Sequence, residues 1–180
     1  QDGVPITADD VVWTFDRVRS VGAPFLRVFY DQITSVEALS PQRVRFHVAT
    51  RNRMAPLLAA AGFTPLPRHF WESGGRDVGR GTLDPVLGSG AYRIAEVDPG
   101  RSITYRRVEA YWGDALPVQR GIGQFETLRY DYYRDDEVMT EAFLGGAIDY
   151  HEENRALNWA TRYDIDPVRS GRLRRETVPD

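Results

Sequence analysis

The tightest constraint on the fold lies between residues 32 and 49, where Val44, Phe46 and Val48 alternate with Arg43, Arg45 and His47, and Ser40-Pro41-Gln42 separates this run from Ile33–Leu39. Successive side chains of a strand point to opposite faces, so an alternation of period two predicts a hairpin with one buried and one wet face. Upstream the period changes. Thr7 stands before Ala8-Asp9-Asp10 with Asp10 where a capping carboxylate belongs, and Val11, Phe15 and Val18 follow at helical spacing. This predicts a helix over about 8–20, with Val12 and Trp13 widening its apolar face and Gly22 and Pro24 ending it.

Residues 54–61 suit a short helix stopped at Gly62, followed by an irregular, partly buried connection over Leu66–Trp71. Residues 73–90 are rich in glycine and poor in apolar side chains, which marks a long surface loop able to face a ligand. A second hairpin follows, with Tyr92 and Ile94 leading to Asp98-Pro99-Gly100 and Ile103 and Tyr105 returning from it. The pattern then changes at Phe125. Leu128, Tyr130 and Tyr132 alternate as a strand, Asp135 caps a helix through Val138, Ala142 and Phe143, Gly145-Gly146 stop it, and Ala147–Tyr150 reads as a parallel strand. The chain is therefore expected to be mixed α/β, with a domain boundary that divides it into 1–124 and 125–180.

Composition narrows the function. At 42% hydrophobic, 27% charged and 12% aromatic the 180 residues are those of a folded globular chain. A formal charge of −3, with every cation an arginine, leaves no surplus to neutralise phosphates, so no nucleic-acid partner is expected. The absence of cysteine excludes disulfides, thiolate metal sites and a cysteine nucleophile. His47, His69 and His151 have no spacing that puts two on one helical face, and His69 reads as an imidazole packed beside Phe70 and Trp71. Gly88-Ser89-Gly90 falls short of a nucleophile elbow because residue 87 is Leu, and no phosphate-binding glycine motif accompanies a strand-to-helix turn. No catalytic residue, metal or cofactor is expected. The candidates that remain are ligand-binding ones: Glu152, Glu153 and Asn154, directly after an expected strand, and Trp159, one of the tryptophans with Trp13, Trp71 and Trp112 that are able to stack on a ligand.

Several stretches together resemble a known family. Asp2-Gly3-Val4-Pro5-Ile6-Thr7-Ala8-Asp9-Asp10-Val11 resembles the opening of a first-lobe helix in the extracellular solute-binding proteins of family 5, the oligopeptide, dipeptide and nickel receptors of ABC importers. Leu66-Pro67-Arg68-His69, Pro85-Val86-Leu87-Gly88-Ser89-Gly90-Ala91-Tyr92 and Tyr111-Trp112 resemble further motifs of that family. Leu87 is an extra residue before the glycine, Ala91 stands where Pro is usual, and Val108 and Glu109 stand near the usual Asn. Leu116–Gly121, Tyr130–Asp135, Glu141-Ala142-Phe143 and Glu153–Thr161 look like the branch associated with uptake of peptides and microcin-type conjugates.

The resemblance implies part of a two-lobed periplasmic-binding-protein type II fold, mostly the first lobe with the opening strand–helix–strand of the next. It implies a periplasmic or extracytoplasmic protein that binds a peptide or peptide-like solute and hands it to the membrane permease of an ABC importer. Family members are several times longer, so the chain is expected to be an internal fragment, unable to enclose ligand alone and prone to self-association through uncovered apolar surface. The family's acidic residue for a peptide amino terminus lies in a later segment that this chain lacks. Two other readings stay open: a stand-alone protein-interaction module, and a hydrolase using carboxylates near Asp149, Glu152 and Glu153.

Overall fold

Helix α1, Ala8–Val21, starts where the sequence places it. Asp10 Oδ2 accepts both the backbone N–H (2.8 Å) and the hydroxyl (3.2 Å) of Thr7, which satisfies a donor that the first turn leaves unpaired. The computed structural model describes residues 1–49, 54, 57 and 62–177, and these fall into two units, Gln1–Tyr130 and Asp131–Asp180. The helix expected over 54–61 lies outside the described residues except at positions 54 and 57.

In the first unit α1 packs against the hairpin of β1 (Ile33–Ser40) and β2 (Arg43–Val48), whose register sets Val36 opposite Phe46 and Ala38 opposite Val44. The core forms there from Phe15, Tyr30 and Ile33, with Val18, Leu26, Val36, Phe46 and Phe63 packed around them. Phe15 is 1% exposed, a burial that contributes about 2–3 kcal/mol. The wet face carries the Arg45–Glu37 ion pair at 2.7 Å.

Two short helices depart from expectation. α1 ends at Gly22 as expected, but Pro24 then opens a further helix, α2 (Pro24–Phe29), because a proline in the first turn gives up only an N–H that has no partner there. Arg68–Glu72, expected to be irregular, is α3. It is held from outside: Asp10 Oδ1 accepts the Arg68 N–H at 3.0 Å, and Glu72 accepts the Trp13 indole N–H at 2.9 Å. Thr14, 1% exposed, accepts the Leu66 N–H at 2.8 Å and ties the preceding strand of chain to α1.

A three-stranded sheet completes this unit in the order β3 (Tyr92–Asp98), β4 (Ser102–Arg107), β5 (Thr127–Asp131). Gly100, at φ 76°, makes the tight turn between β3 and β4. β5 joins through Arg107 N–H to Glu126 O at 2.9 Å and an edge-on Tyr105–Tyr130 contact at 5.7 Å.

The second unit is built from α4 (Asp136–Leu144), α5 (Ala156–Thr161) and α6 (Asp166–Arg169). Asp135 caps α4 by accepting the Val138 N–H at 2.9 Å, as its position in the sequence implies. The strand expected over Ala147–Tyr150 does not form. A strand exists only by backbone pairing, and residues 147–150 join neither sheet of the described residues. The chain is mixed α/β, with its strands in β1–β5 and the expected strand–helix–strand reduced to strand and helix.

Candidate functional site

The first unit contains a pocket of about 730 Å³, within the range that holds small molecules. It is lined by residues 1–6, 64–67, 86–90, 108 and 110–112, with Asp10 and His69. Each wall has a local cause. The Gln1 side chain straps the first stretch to the third, with Nε2 donating to Gly90 O (3.1 Å) and Tyr92 O (2.8 Å) and Oε1 accepting from Gly88 N (3.3 Å). Trp112 donates its indole N–H to Ser89 O at 2.8 Å, which anchors one edge of the ring while 69% of the residue stays exposed. Leu66 and Leu87 are half-buried, and Val4 and Ile6 are exposed beside them.

Ionisable side chains also line the pocket. Asp2 Oδ2 meets His69 Nε2 at 2.7 Å and Asp2 Oδ1 accepts the Val4 N–H at 3.0 Å. The hydrogen bond to His69, then that from Val4, hold the Asp2 carboxyl below its usual range against a smaller opposing effect of desolvation, so it is an anion at neutral pH. Asp10 also lines the pocket, with its oxygens engaged by Thr7 and Arg68.

This site was only partly visible in the sequence. Trp112 and the glycine-rich loop were candidates, and 86–90 of that loop is a wall. Asp2 and His69 were missed, since the first reads as the lead into a helix and the second as a core imidazole. Their sequence separation of 67 gives no sign of a pair.

In the second unit the structure divides the four expected ligand-binding residues. Glu152 and Asn154 are exposed. The Glu153 side chain is 6% exposed, and its carboxylate accepts the Arg155 N–H at 2.8 Å and the Tyr163 hydroxyl at 3.1 Å. Burial pushes the Glu153 carboxyl up, but the Arg155 N–H, the Asn158 side chain, Tyr163 and the nearby His151 outweigh it and hold it below the usual range. Burial, then the Glu153 contact, push the Tyr163 hydroxyl up to about 12. The His151 side chain, 8% exposed, sits with Nε2 3.8 Å from Glu153 Oε2 and its ring tilted against Phe143. Trp159 carries the Arg175 guanidinium 4.3 Å from its ring centre, and Arg175 also donates to Trp159 O at 2.9 Å. Glu153 and Trp159 are thus committed within the unit, while Glu152 and Asn154 remain open to a ligand.

Among the described residues no three His, Asp or Glu side chains converge as metal ligands, and no helix is long and apolar enough to cross a membrane.

Residues 1–175 match the family described as "Bacterial extracellular solute-binding proteins, family 5 Middle". The "Probable peptide-binding protein YejA" of Agrobacterium fabrum is 35% identical over 99% of this chain, which covers 30% of that relative. The Escherichia coli protein YejA, itself uncharacterized, is 41% identical over 90% of this chain, covering 26% of the relative. Among solved structures, the binding protein MoaA in complex with mannopinic acid, from A. tumefaciens R10, superposes with a TM-score of 0.71 at 26% identity, over 93% of this chain and 32% of that one. The chain spans about a third or less of the length of each of these proteins.

Proposed function

The chain belongs to the bacterial extracellular solute-binding proteins of family 5, and from that premise we propose that it is part of the substrate-binding component of an ABC-type importer for peptides or peptide-like solutes. The observation that carries this reading is the 35% identity to a probable peptide-binding protein across 99% of the chain. The site geometry agrees with it. A largely apolar pocket with the fixed carboxylates of Asp2 and Asp10 suits reversible capture, and a receptor needs no nucleophile, acid–base pair or metal.

Such a receptor acts through differential affinity. The closed, two-lobed state binds solute better than the open one, so ligand shifts the population toward the form the permease accepts. The protein works in the periplasm or outside the cytoplasm, as a binder and not as an enzyme. In the second unit Glu152 and Asn154 are the proposed ligand contacts, with Glu153 and Trp159 positioning the segment that carries them. A change of lobe after residue 124 belongs to the same proposal; the cut between the two units falls after Tyr130.

Solutes released by denaturing the protein purified from its own host test the reading. Mass spectrometry of that fraction is expected to find peptides in stoichiometric amount. A protein partner in their place would favour an interaction module and overturn the proposal.

A further inference from the structure

We propose that a second cavity of the first unit binds a single-chain amphiphile with an anionic end, a carboxylate of the fatty-acid kind. The proposal is independent of the solute-receptor reading and concerns a different place on the chain.

This cavity, of about 770 Å³, is walled by the C-terminal half of α1, by α2 and by residues 62–64, 66 and 78–81, all within the first unit. Its size suits a small ligand. Val18, Val21, Leu26, Phe63, Leu66 and Val78 supply its apolar wall. The glycine-rich loop closes one side by lying directly on α1. A Cβ at Gly79 would stand 3.1 Å from the Val21 Cβ, an approach that glycine makes without strain, and Asp77 Oδ1 holds the loop there by accepting the Gly79 N–H at 2.9 Å.

The charge on the cavity has one sign. Among the described residues that line it Arg27 and Arg80 are charged, and none is Asp or Glu. Asp77, which does not line it, lies 3.4 Å from Arg80 Nε and answers part of that charge. The Arg27 side chain has no hydrogen-bond or ion-pair partner among the described residues, so its planar fork is free to take both oxygens of a carboxylate. Two hydroxyls of the wall are already engaged. Thr14 donates to Asp10 O at 2.6 Å and accepts the Leu66 N–H at 2.8 Å, and Tyr30 donates to Gly62 O at 3.3 Å. An alkyl chain along the valines and Leu26 leaves water, and a carboxylate at Arg27 meets the opposite charge. A cationic end is repelled by both arginines, and the ammonium of a peptide finds no carboxylate among the described lining residues.

The 180-residue chain is titrated with decanoate, decanol and decyltrimethylammonium below their micelle concentrations, following the methyl NMR signals of Val18 and Leu26 and the Trp112 indole. Decanoate is expected to move Val18 and Leu26 saturably, to leave Trp112 still and to bind more tightly than decanol, while the ammonium amphiphile does not bind. In Arg27→Ala decanoate binding should weaken about threefold, the size of an exposed charge contact, with decanol binding unchanged. Val21→Asp should abolish decanoate binding with the β1 and β2 signals in place, Val78→Ala should weaken it, and Val118→Ser, outside the cavity, should leave it as it was. Val18 and Leu26 signals that decanoate does not move, an ammonium amphiphile that binds as tightly, or decanoate binding indifferent to both Arg27→Ala and Val21→Asp overturns the proposal. Co-sedimentation with phosphatidylglycerol vesicles in the absence of decanoate binding would make the occupant a membrane lipid and overturn it equally. The receptor reading stands or falls on the solute released from the purified protein, whichever way decanoate behaves.

Discussion

The indole N–H of Trp112 lies 2.8 Å from the carbonyl oxygen of Ser89, a bond that closes 23 residues of chain and sets one wall of the pocket. It joins the sheet unit's β3 approach to the Tyr111-Trp112 motif that follows β4, and it explains why an aromatic ring can stay open to solvent without losing its place.

Replacing Trp112 by Phe removes this bond and leaves the Ser89 carbonyl to water. A neutral, partly exposed hydrogen bond contributes about 1 kcal/mol, so a small loss of stability in urea unfolding is expected. The more telling readout is amide exchange, which should quicken at Ser89 and Gly90 and stay unchanged in β1 and β2. Uniform quickening across the first unit would contradict the local role.

Asp10 should matter more. Its two oxygens accept backbone N–H groups of Thr7 and Arg68, at the starts of α1 and α3, and the residue is buried. Asp10→Ala orphans both donors and is expected to cost about 2–3 kcal/mol in denaturant unfolding, with Asp10→Asn less harmful because one acceptor remains. A loss below about 0.5 kcal/mol in Asp10→Ala would show that water replaces the carboxylate freely.

The second unit should respond to pH at both extremes. Glu153 is held below the ordinary range, so its contribution is present above the free glutamate value of about 4.3 and is lost as pH falls through the folded value. Tyr163 is pushed up to about 12, so its contribution is whole below the free tyrosine value of about 10 and is lost as pH rises through the folded one. Thermal melts against pH are expected to lose part of their acid slope in Glu153→Gln and part of their alkaline slope in Tyr163→Phe. Unchanged slopes in both would detach the pair from stability.

Val118, Ile122 and Phe125 are exposed on the segment between β4 and β5. Apolar groups this close in sequence favour association when nothing covers them. Sedimentation of this chain by itself should show mass rising with concentration, and a Val118→Ser, Phe125→Ser double variant should remain monomeric at the same concentrations. Monomer at all concentrations in the parent chain would contradict this.

Much of the fold was legible because it is written in local periodicity. Helix α1 and both hairpins follow from spacing and turn residues alone, since the alternation at 43–48 and the Asp98-Pro99-Gly100 turn each fit one backbone shape. What escaped depends on partners remote in sequence. α3 has five residues and no period to detect, and it stands because Asp10 and Trp13 hold it. Ala147–Tyr150 reads as a strand by residue type but pairs into neither sheet. The same distinction holds at the sites: the glycines and Trp112 were legible by type, whereas Asp2 is fixed in place only through His69 and Val4, and Glu153 looked like a surface carboxylate until folding set it beneath Tyr163.

Uptake measures the central claim most directly. In the native host, a strain lacking this gene is compared with the same strain carrying it again, following an isotope-labelled apolar peptide into the cytoplasm. Import should fall in the first and return in the second, with an unrelated solute imported equally by both. Equal peptide import with and without the gene, across a panel of apolar, basic and acidic peptides, would contradict the account.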